Sequence, residues 1–345
     1  MHWRRPGDLF DLATGWRLLV LGGTVFLGRH LVAAALGRGH DVTCFHRGRS
    51  NPDLYPHVEH LRGDRDGGVE ALRHRTWDAV VDTSGFVPRV VRQSAELLRD
   101  SVGLYAFIST GSVYPLQGHD KSEDGPVIRL EDPATEDVNE HYGGLKALCE
   151  EVVAGLYGDR ALNVRSGLIV GPFDPTGRFT YWTLRMARDG EVVAPGAPDR
   201  LVQFIDARDQ SEWILDMAEA GRGGTFNVSG PRPPVTLGEV LSACGEARPT
   251  WVSDEFLLEQ GVRPYSELPL WVPPSAGTLV MPLDRASAAG LRYRELAVTI
   301  RDTREWAESS APVPATDAGG RVRQPATLTA EREAQLLALW RERGG

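Results

Sequence analysis

The sequence predicts an α/β fold: a doubly wound parallel sheet with a smaller C-terminal region at one edge. Three observations carry this. Short strand-like segments recur at residues 18–21, 42–45, 58–61, 79–81, 104–108 and 161–165, most of them apolar nearly throughout, and strands of that kind belong to a sheet covered on both faces. Helical apolar spacing occupies 26–38, 87–99 and 137–157, the alternation that parallel strands with crossover helices require. After Gly171-Pro172 the alternation loosens, and turn residues and aromatics multiply.

Taken in order, residues 1–16 are polar with Pro and Gly and read as a loose leader. Residues 17–171 hold the alternating strands and helices. The helix over 137–157 gathers Leu145, Leu148, Cys149, Val152, Val153 and Leu156 on one face. Residues 172–310 form the second region, partly interleaved with the first. Strand-like pieces at 192–194, 201–205 and 225–228 mix there with helices at 210–220 and 237–244. Residues 312–325 are rich in Pro, Gly and Ala and read as a linker within a 311–345 tail. A last helix spans 330–343, and its apolar cluster can dock a partner or the chain's own body.

Bulk properties narrow the function. A chain of 345 residues builds one large domain or two medium ones. A net charge of −9 disfavours nucleic acid as a partner. No apolar run approaches the roughly 20 residues of a transmembrane helix, and Arg4-Arg5 lead into no apolar stretch, against a secretory signal. Three cysteines, far apart and odd in number, fit a reduced, cytoplasmic setting. The histidines show no ligand spacing, so no metal site is expected.

The first strand runs into Gly22-Gly23-Thr24-Val25-Phe26-Leu27-Gly28 and then a helix. Glycines let a backbone approach phosphates, and a helix N-terminus supplies N–H donors and positive potential. This is the local pattern of a Rossmann-type dinucleotide site, with Gly22, Gly23, Thr24, Phe26, Leu27 and Gly28 against the pyrophosphate. The second strand ends at His46-Arg47-Gly48-Arg49. A carboxylate there would suit the ribose hydroxyls of NAD. Arg47 instead suits a 2′-phosphate, so NADP(H) is favoured, with NAD(H) as the alternative. A solvated basic turn is the plainer account. Asp64 after the third strand can accept from the adenine amino group. Thr83, Ser84 and Gly85 after the fourth can line the cofactor, or cap their loops.

Only two lysines occur in the chain, and Lys146 lies four residues after Tyr142. With eight tyrosines and two lysines in 345 residues, such a pair is expected about 0.05 times by chance. Residues i and i+4 share a helix face, and an ammonium beside a phenol favours the phenolate. That pair can move a proton at a carbinol or carbonyl oxygen; a surface pair on an amphipathic helix is the bland account. Gly143 and Gly144 are unfavourable in a helix by about 1 kcal/mol each, which suggests a close approach there, by cofactor or substrate. The fifth strand leads into Ser109-Thr110-Gly111-Ser112-Val113-Tyr114, where a hydroxyl can hold the reacting oxygen.

Together these residues resemble the extended short-chain dehydrogenase/reductase superfamily over about residues 17–310. The most specific parts are Gly22–Gly28, Ser109–Tyr114, Tyr142-x-x-x-Lys146-x-x-x-Glu150 and Arg165 through Pro172. The resemblance implies that Tyr142 is the general acid/base and that Lys146 holds the nicotinamide ribose and lowers the phenol's pKa. It implies that Thr110 orients the substrate oxygen, with Ser112 as a nearby substitute. Phe179 and Arg208, with Tyr181, Trp182, Gln203 and Asp209, lie where relatives place substrate-binding residues. Two departures stand out. Val25 replaces the middle glycine of the family's turn, a form similar to an atypical branch that includes chloroplast stem-loop-binding proteins. Gly111-Ser112 stands where dehydratases carry Asp-Glu, which disfavours water elimination. The resemblance implies an NAD(P)-dependent ketone reductase or secondary alcohol dehydrogenase acting on a sugar, nucleotide sugar or natural-product intermediate. A nucleotide-sugar epimerase with tightly held NAD is the alternative, and a non-catalytic nucleotide- or RNA-binding protein a third. A homodimer paired through helices is a further expectation from the superfamily.

Overall fold

The computed structural model describes residues 15–310, 315–316, 322–323 and 327–344. The expected leader therefore falls almost wholly outside the described residues, as does most of the expected linker.

The strands are β1 (Arg17–Leu21), β2 (Asp41–His46), β3 (Glu59–Arg62), β4 (Trp77–Asp82), β5 (Val102–Thr110), β6 (Ala161–Ser166), β7 (Leu168–Val170), β8 (Glu191–Pro195), β9 (Leu201–Val202), β10 (Phe204–Asp206), β11 (Gly224–Val228), β12 (Val235–Thr236) and β13 (Arg248–Val252). Seven of them form one parallel sheet in the order β11-β6-β5-β4-β1-β2-β3. β1 pairs with β2 on one side and β4 on the other. The chain thus winds outward from β1 and then crosses back to β4. That reversal opens a crevice beyond the carboxyl ends of β1 and β4, where open α/β sheets take ligands.

The helices are α1 (Leu27–Gly37), α2 (Pro88–Leu98), α3 (Val138–Tyr157), α4 (Arg178–Arg185), α5 (Ala207–Glu219), α6 (Leu237–Cys244), α7 (Asp254–Glu259), α8 (Asp284–Ala288), α9 (Leu296–Ser309) and α10 (Ala330–Glu342). One sheet face packs on α1 and α5 through residues such as Val20, Leu31, Val81 and Ile214. The other packs on α2 and α3 through Leu19, Val80, Val91 and Val153. Alternate strand residues feed each face, and this explains why most of the strands read as apolar nearly throughout.

The region after β6 has its own core, built on Phe179, Trp182, Leu241 and Trp271. It contains the two-stranded pairings β10 with β7, β12 with β9 and β13 with β8. β11 belongs instead to the main sheet, where Val228 lies opposite Ser166 on β6. The chain therefore returns to the first layer after building most of the second. α10 docks on this second core rather than standing free. Leu336 and Leu337 are buried there, and Trp340 packs on Phe256 with ring centroids 5.1 Å apart. Buried Glu333 accepts from Arg185 Nε at 2.7 Å and from the Val193 amide at 3.2 Å.

Candidate functional site

β1 ends in a turn whose first two residues are left-handed, Gly22 at φ +112° and Gly23 at φ +95°. A side chain on Gly22 would start 2.3 Å from Thr83 Oγ1. The turn is thus pressed between β4 and α1, with the backbone itself facing the crevice. The first turn of α1 carries no acidic residue, so its positive end is uncompensated. The crevice is a cleft of about 940 Å³. Gly22, Gly23, Thr24, Val25, Phe26, Leu27 and Gly28 all line it.

The neighbouring strand ends complete this half. Thr83 Oγ1 and Ser84 Oγ donate to the Leu21 carbonyl at 2.9 and 3.2 Å. They line the cleft and tie β4 to the glycine turn. Arg47, Arg49 and Asp64 sit on its rim. Inside that rim, His46 Nδ1 accepts from the Gly48 amide and from Arg62 Nη1, both at 3.1 Å. Its Nε2 therefore carries the hydrogen and donates to His60 Nδ1 at 2.8 Å. Burial, then the charges of Arg62 and His60, push His46 down to about 4. His46 is neutral at physiological pH, and the charge at the end of β2 is that of the arginines.

Residue 65 turns inward from the same loop. Arg65 Nη1 and Nη2 donate to the two carboxylate oxygens of Asp82 at 2.6 and 2.7 Å. Ser94 Oγ accepts from Arg65 at 2.8 Å, and Tyr105 donates to Asp82 at 2.8 Å. Asp82 is fully buried. At the end of β4 it accepts from the Ser84 amide at 3.1 Å and is the centre of a buried ion pair beneath the site. Arg65→Ala should destabilise the protein by about 3–5 kcal/mol, because Asp82 would remain buried without its countercharge. Chemical denaturation checks this.

The catalytic candidates come from β5 and α3. Thr110 ends β5, and its Oγ1 accepts from the Ser112 amide at 3.1 Å, capping the short turn Gly111–Val113. α3 starts on Asp137, whose carboxylate accepts from the Asn139 and Glu140 amides. The helix kinks at His141 (φ −116°, ψ 23°), just before Tyr142. Gly143 and Gly144 are explained by packing. A Cβ at Gly143 would lie 2.1 Å from the Ser112 carbonyl oxygen, and one at Gly144 would lie 2.3 Å from Leu130 Cδ2. The close approach expected there is made by the chain itself, not by a ligand. It brings Tyr142 to the Thr110 turn.

Tyr142 is 36% exposed and opens into the cleft, as do Thr110, Ser112 and Lys146. Burial raises its phenol above the usual value, opposed by hydrogen bonding with Thr110 and by the charge of Arg178. The charge of Arg178 acts on the Tyr142 phenol, and the ammonium of Lys146 is held by other groups. Its Nζ donates to the Gly85 and Ile108 carbonyls, both at 2.6 Å, and lies 4.0 Å from the centre of the Phe107 ring. Lys146 is 3% exposed, and burial lowers its pKa to about 8. Helical spacing put both residues on one side, but two strand-end carbonyls compete for the ammonium. Gly85 takes part through its carbonyl, while its neighbours Ser84 and Phe86 line the cleft. One helical turn on, Glu150 accepts from Arg165 Nε and Nη2 at 2.8–3.1 Å. Arg165 also donates to Tyr114, which donates to Asn227 Oδ1 on β11. This buried network locks α3 to β6 and β11.

Two expected substrate residues lie elsewhere. Phe179 is fully buried and packs on Phe204, ring centroids 5.0 Å apart. α4 begins one residue earlier, and one step along a helix turns a side chain by about 100°, so Arg178 faces the cleft and Phe179 the core. Arg208 is held by Asp206 and Asp302 at the start of α5, outside the cleft lining. Gln203 lines the cleft, but both ends of its amide bind the backbone of Met281, at 2.9 Å each. Sequence reasoning missed Asp174, Arg178, Tyr265 and Met281 in this half of the lining. Arg178 left one signal: it is the only basic residue between Gly171 and Trp182.

A model of the NAD dependent epimerase/dehydratase family matches residues 18–229. The chloroplast stem-loop binding protein of 41 kDa b from Arabidopsis thaliana is 26% identical over 251 residues, 67% of this chain and 63% of that protein. The chain thus matches less than two thirds of that relative's length. A 3 beta-hydroxysteroid dehydrogenase/Delta 5-->4-isomerase of Mycobacterium tuberculosis is 36% identical over 85 residues, 24% of this chain and 23% of that one. UDP-glucuronic acid 4-epimerase from Bacillus cereus, solved in complex with NAD, superposes with a TM-score of 0.61 at 17% identity, covering 84% of this chain and 96% of that chain. MoeE5 in complex with UDP-glucuronic acid and NAD gives 0.60 at 21% identity, over 85% and 99%. At these identities the structural likenesses establish a common fold. No helix among the described residues is long and apolar enough to cross a membrane.

Proposed function

The chain belongs to the NAD dependent epimerase/dehydratase family, and we propose that it is an NAD(P)-dependent oxidoreductase acting on a secondary alcohol or ketone of a sugar, nucleotide sugar or natural-product intermediate. The observation that carries this is the placement of the Tyr142 phenol, beside Thr110, in the same cleft as the glycine turn.

The residues fit a dinucleotide. Gly22 and Gly23 leave the backbone open to phosphate oxygens, and α1 adds its uncompensated N-terminus. Ser109 lines the cleft, and its buried hydroxyl has no hydrogen-bond partner among the described residues, as a group awaiting a ligand would be. Bound there, a nicotinamide supplies hydride exchange with the substrate carbon. The chain's own task is then the proton and the position. Thr110 orients the substrate oxygen. Tyr142 donates its phenolic proton to that oxygen as a carbonyl is reduced, and the phenolate takes a proton back in the reverse reaction. A phenol raised by burial is protonated at neutral pH, which suits it to act as the acid in reduction.

The basic end of β2 supports NADP(H) over NAD(H). His46 is neutral, no carboxylate occupies the strand end, and Arg47 stands exposed on the rim. Arg47→Ala should weaken NADPH binding by about 1.5–3 kcal/mol, the worth of a hydrogen bond to a charged group. NADH binding should change little. Calorimetric titration of both cofactors checks the contrast.

A second reading, an epimerase, shares the site. It is favoured by the fold shared with the Bacillus cereus 4-epimerase, which was solved with NAD. The absorbance spectrum of the purified protein tests the choice. Cofactor that exchanges freely with added NADPH supports a reductase. Tightly retained NAD without net redox turnover supports an epimerase.

A further inference from the structure

The substrate half of the cleft contains a cation with no carboxylate partner among the described residues. Arg178 opens α4 and lines the cleft. Its Nε donates to Thr176 Oγ1 at 3.1 Å, and its guanidinium carbon lies 4.9 Å from the centre of the Tyr265 ring. Among the described residues no carboxylate comes within 4.0 Å of it. By contrast, the partly or fully buried Arg65, Arg165, Arg185, Arg200 and Arg208 are each clasped by a carboxylate.

Asp174 is the nearest candidate to neutralise it and is otherwise engaged. It is 2% exposed, and its two oxygens accept from the Thr176 amide and hydroxyl, both at 2.9 Å. Burial also raises its pKa, which weakens it as a counterion. Lys121, the other cation on this side, is buried and spent on the Thr278 carbonyl. The backbone around Arg178 is strained: Phe173 at φ +69° and Tyr265 at φ +61° are left-handed without being glycine. Such strain persists where surrounding structure over-determines a residue, commonly at ligand sites. A planar fork with its Nη edge free, held from behind by a hydroxyl and an aromatic ring, is built to bind an oxyanion.

We propose that the substrate carries an oxyanion, a carboxylate or a phosphate, and that Arg178 clasps it while Tyr142 addresses the neighbouring oxygen-bearing carbon. This rests on the oxidoreductase reading and narrows its substrate to an acid or a phosphoester. Arg178 thereby sets specificity, since a neutral analogue leaves its charge uncompensated.

The test is calorimetric titration of the protein, saturated with NADP⁺, with malonate, inorganic phosphate and neutral malonamide. Saturating the cofactor half first keeps phosphate away from the glycine turn. The wild type should bind malonate or phosphate saturably and malonamide not at all. The tighter of the two anions identifies a carboxylate or a phosphate substrate. R178Q should bind that anion at least about tenfold more weakly, with R178K intermediate. Cofactor affinity should stay within about twofold of wild type in both, which also verifies that they fold. Anion affinity unchanged in R178Q, or no anion binding by the wild type, would overturn the proposal. Absence of NADP⁺ and NAD⁺ binding is a separate failure, of the oxidoreductase reading. The same titrations without cofactor would then still read Arg178 from the difference between wild type and R178Q.

Discussion

Tyr142→Phe is expected to lower turnover by about 10²–10⁴-fold while leaving cofactor affinity close to wild type. The phenol opens into the cleft beside Thr110, and phenylalanine keeps its ring and packing while removing the only proton it can transfer. The pH profile supplies a sharper readout. Burial holds the phenol above its ordinary value, so it is protonated throughout the neutral range. Reduction uses the protonated form and should show no dependence on this group there. Oxidation uses the phenolate, so its rate should rise by about a factor of ten per pH unit below the phenol's pKa. In Tyr142→Phe that rise should vanish with the activity. Steady-state rates in both directions, from pH 6 to 9, check both statements.

Lys146→Met should separate activity from stability. If Lys146 holds the nicotinamide ribose, as the family resemblance implies, losing that charge-assisted hydrogen bond costs about 1.5–3 kcal/mol, so turnover should fall by roughly 10–100-fold. Stability responds through pH. Lys146 is 3% exposed and has a folded pKa of about 8, against about 10.4 in an unfolded chain. Between those values the unfolded state binds more protons, so this group makes the wild type more stable as pH rises through the window. Below pH 8 the burial penalty is fully present; above the unfolded value it is gone. The gain across the window is about 3 kcal/mol. Tyrosines and cysteines also titrate there, so the informative quantity is the difference between wild type and Lys146→Met, measured by denaturation at pH 7 and pH 10. Methionine cannot titrate, and the difference should shift in favour of wild type at the higher pH. Lys146→Arg should lose both activity and stability, because a longer planar group cannot occupy a buried slot between the Gly85 and Ile108 carbonyls and the Phe107 ring.

What the sequence reveals follows how local each cause is. The sheet strands and the glycine turn were legible because their signals lie within a few residues: apolar runs, then Gly22-Gly23 at a strand end. Thr110 and Tyr142 were legible because one strand end and one helix deliver them. The partners of Lys146 were not. Helical spacing predicts which residues share a face, whereas the carbonyls of Gly85 and Ile108 arrive from the loop after β4 and from β5. The Arg65–Asp82 pair joins residues 17 positions apart across a loop, and no periodicity marks it. Phe179 and Arg178 show how fine the margin is. The aromatic looked like the ligand contact, but the phase set by the first residue of α4 gives the cleft its neighbour. Arg208 was misread for a related reason: its partner Asp302 lies 94 residues away on α9.

The cleft at the ends of β1 and β4 should be a dinucleotide site serving Tyr142. Isothermal titration of the full chain with NADPH and, separately, NADH tests it most directly. Saturable binding at one site per chain is expected, tighter for NADPH. A flat titration with both cofactors, on protein shown to be folded and to contain no retained nucleotide, would contradict it.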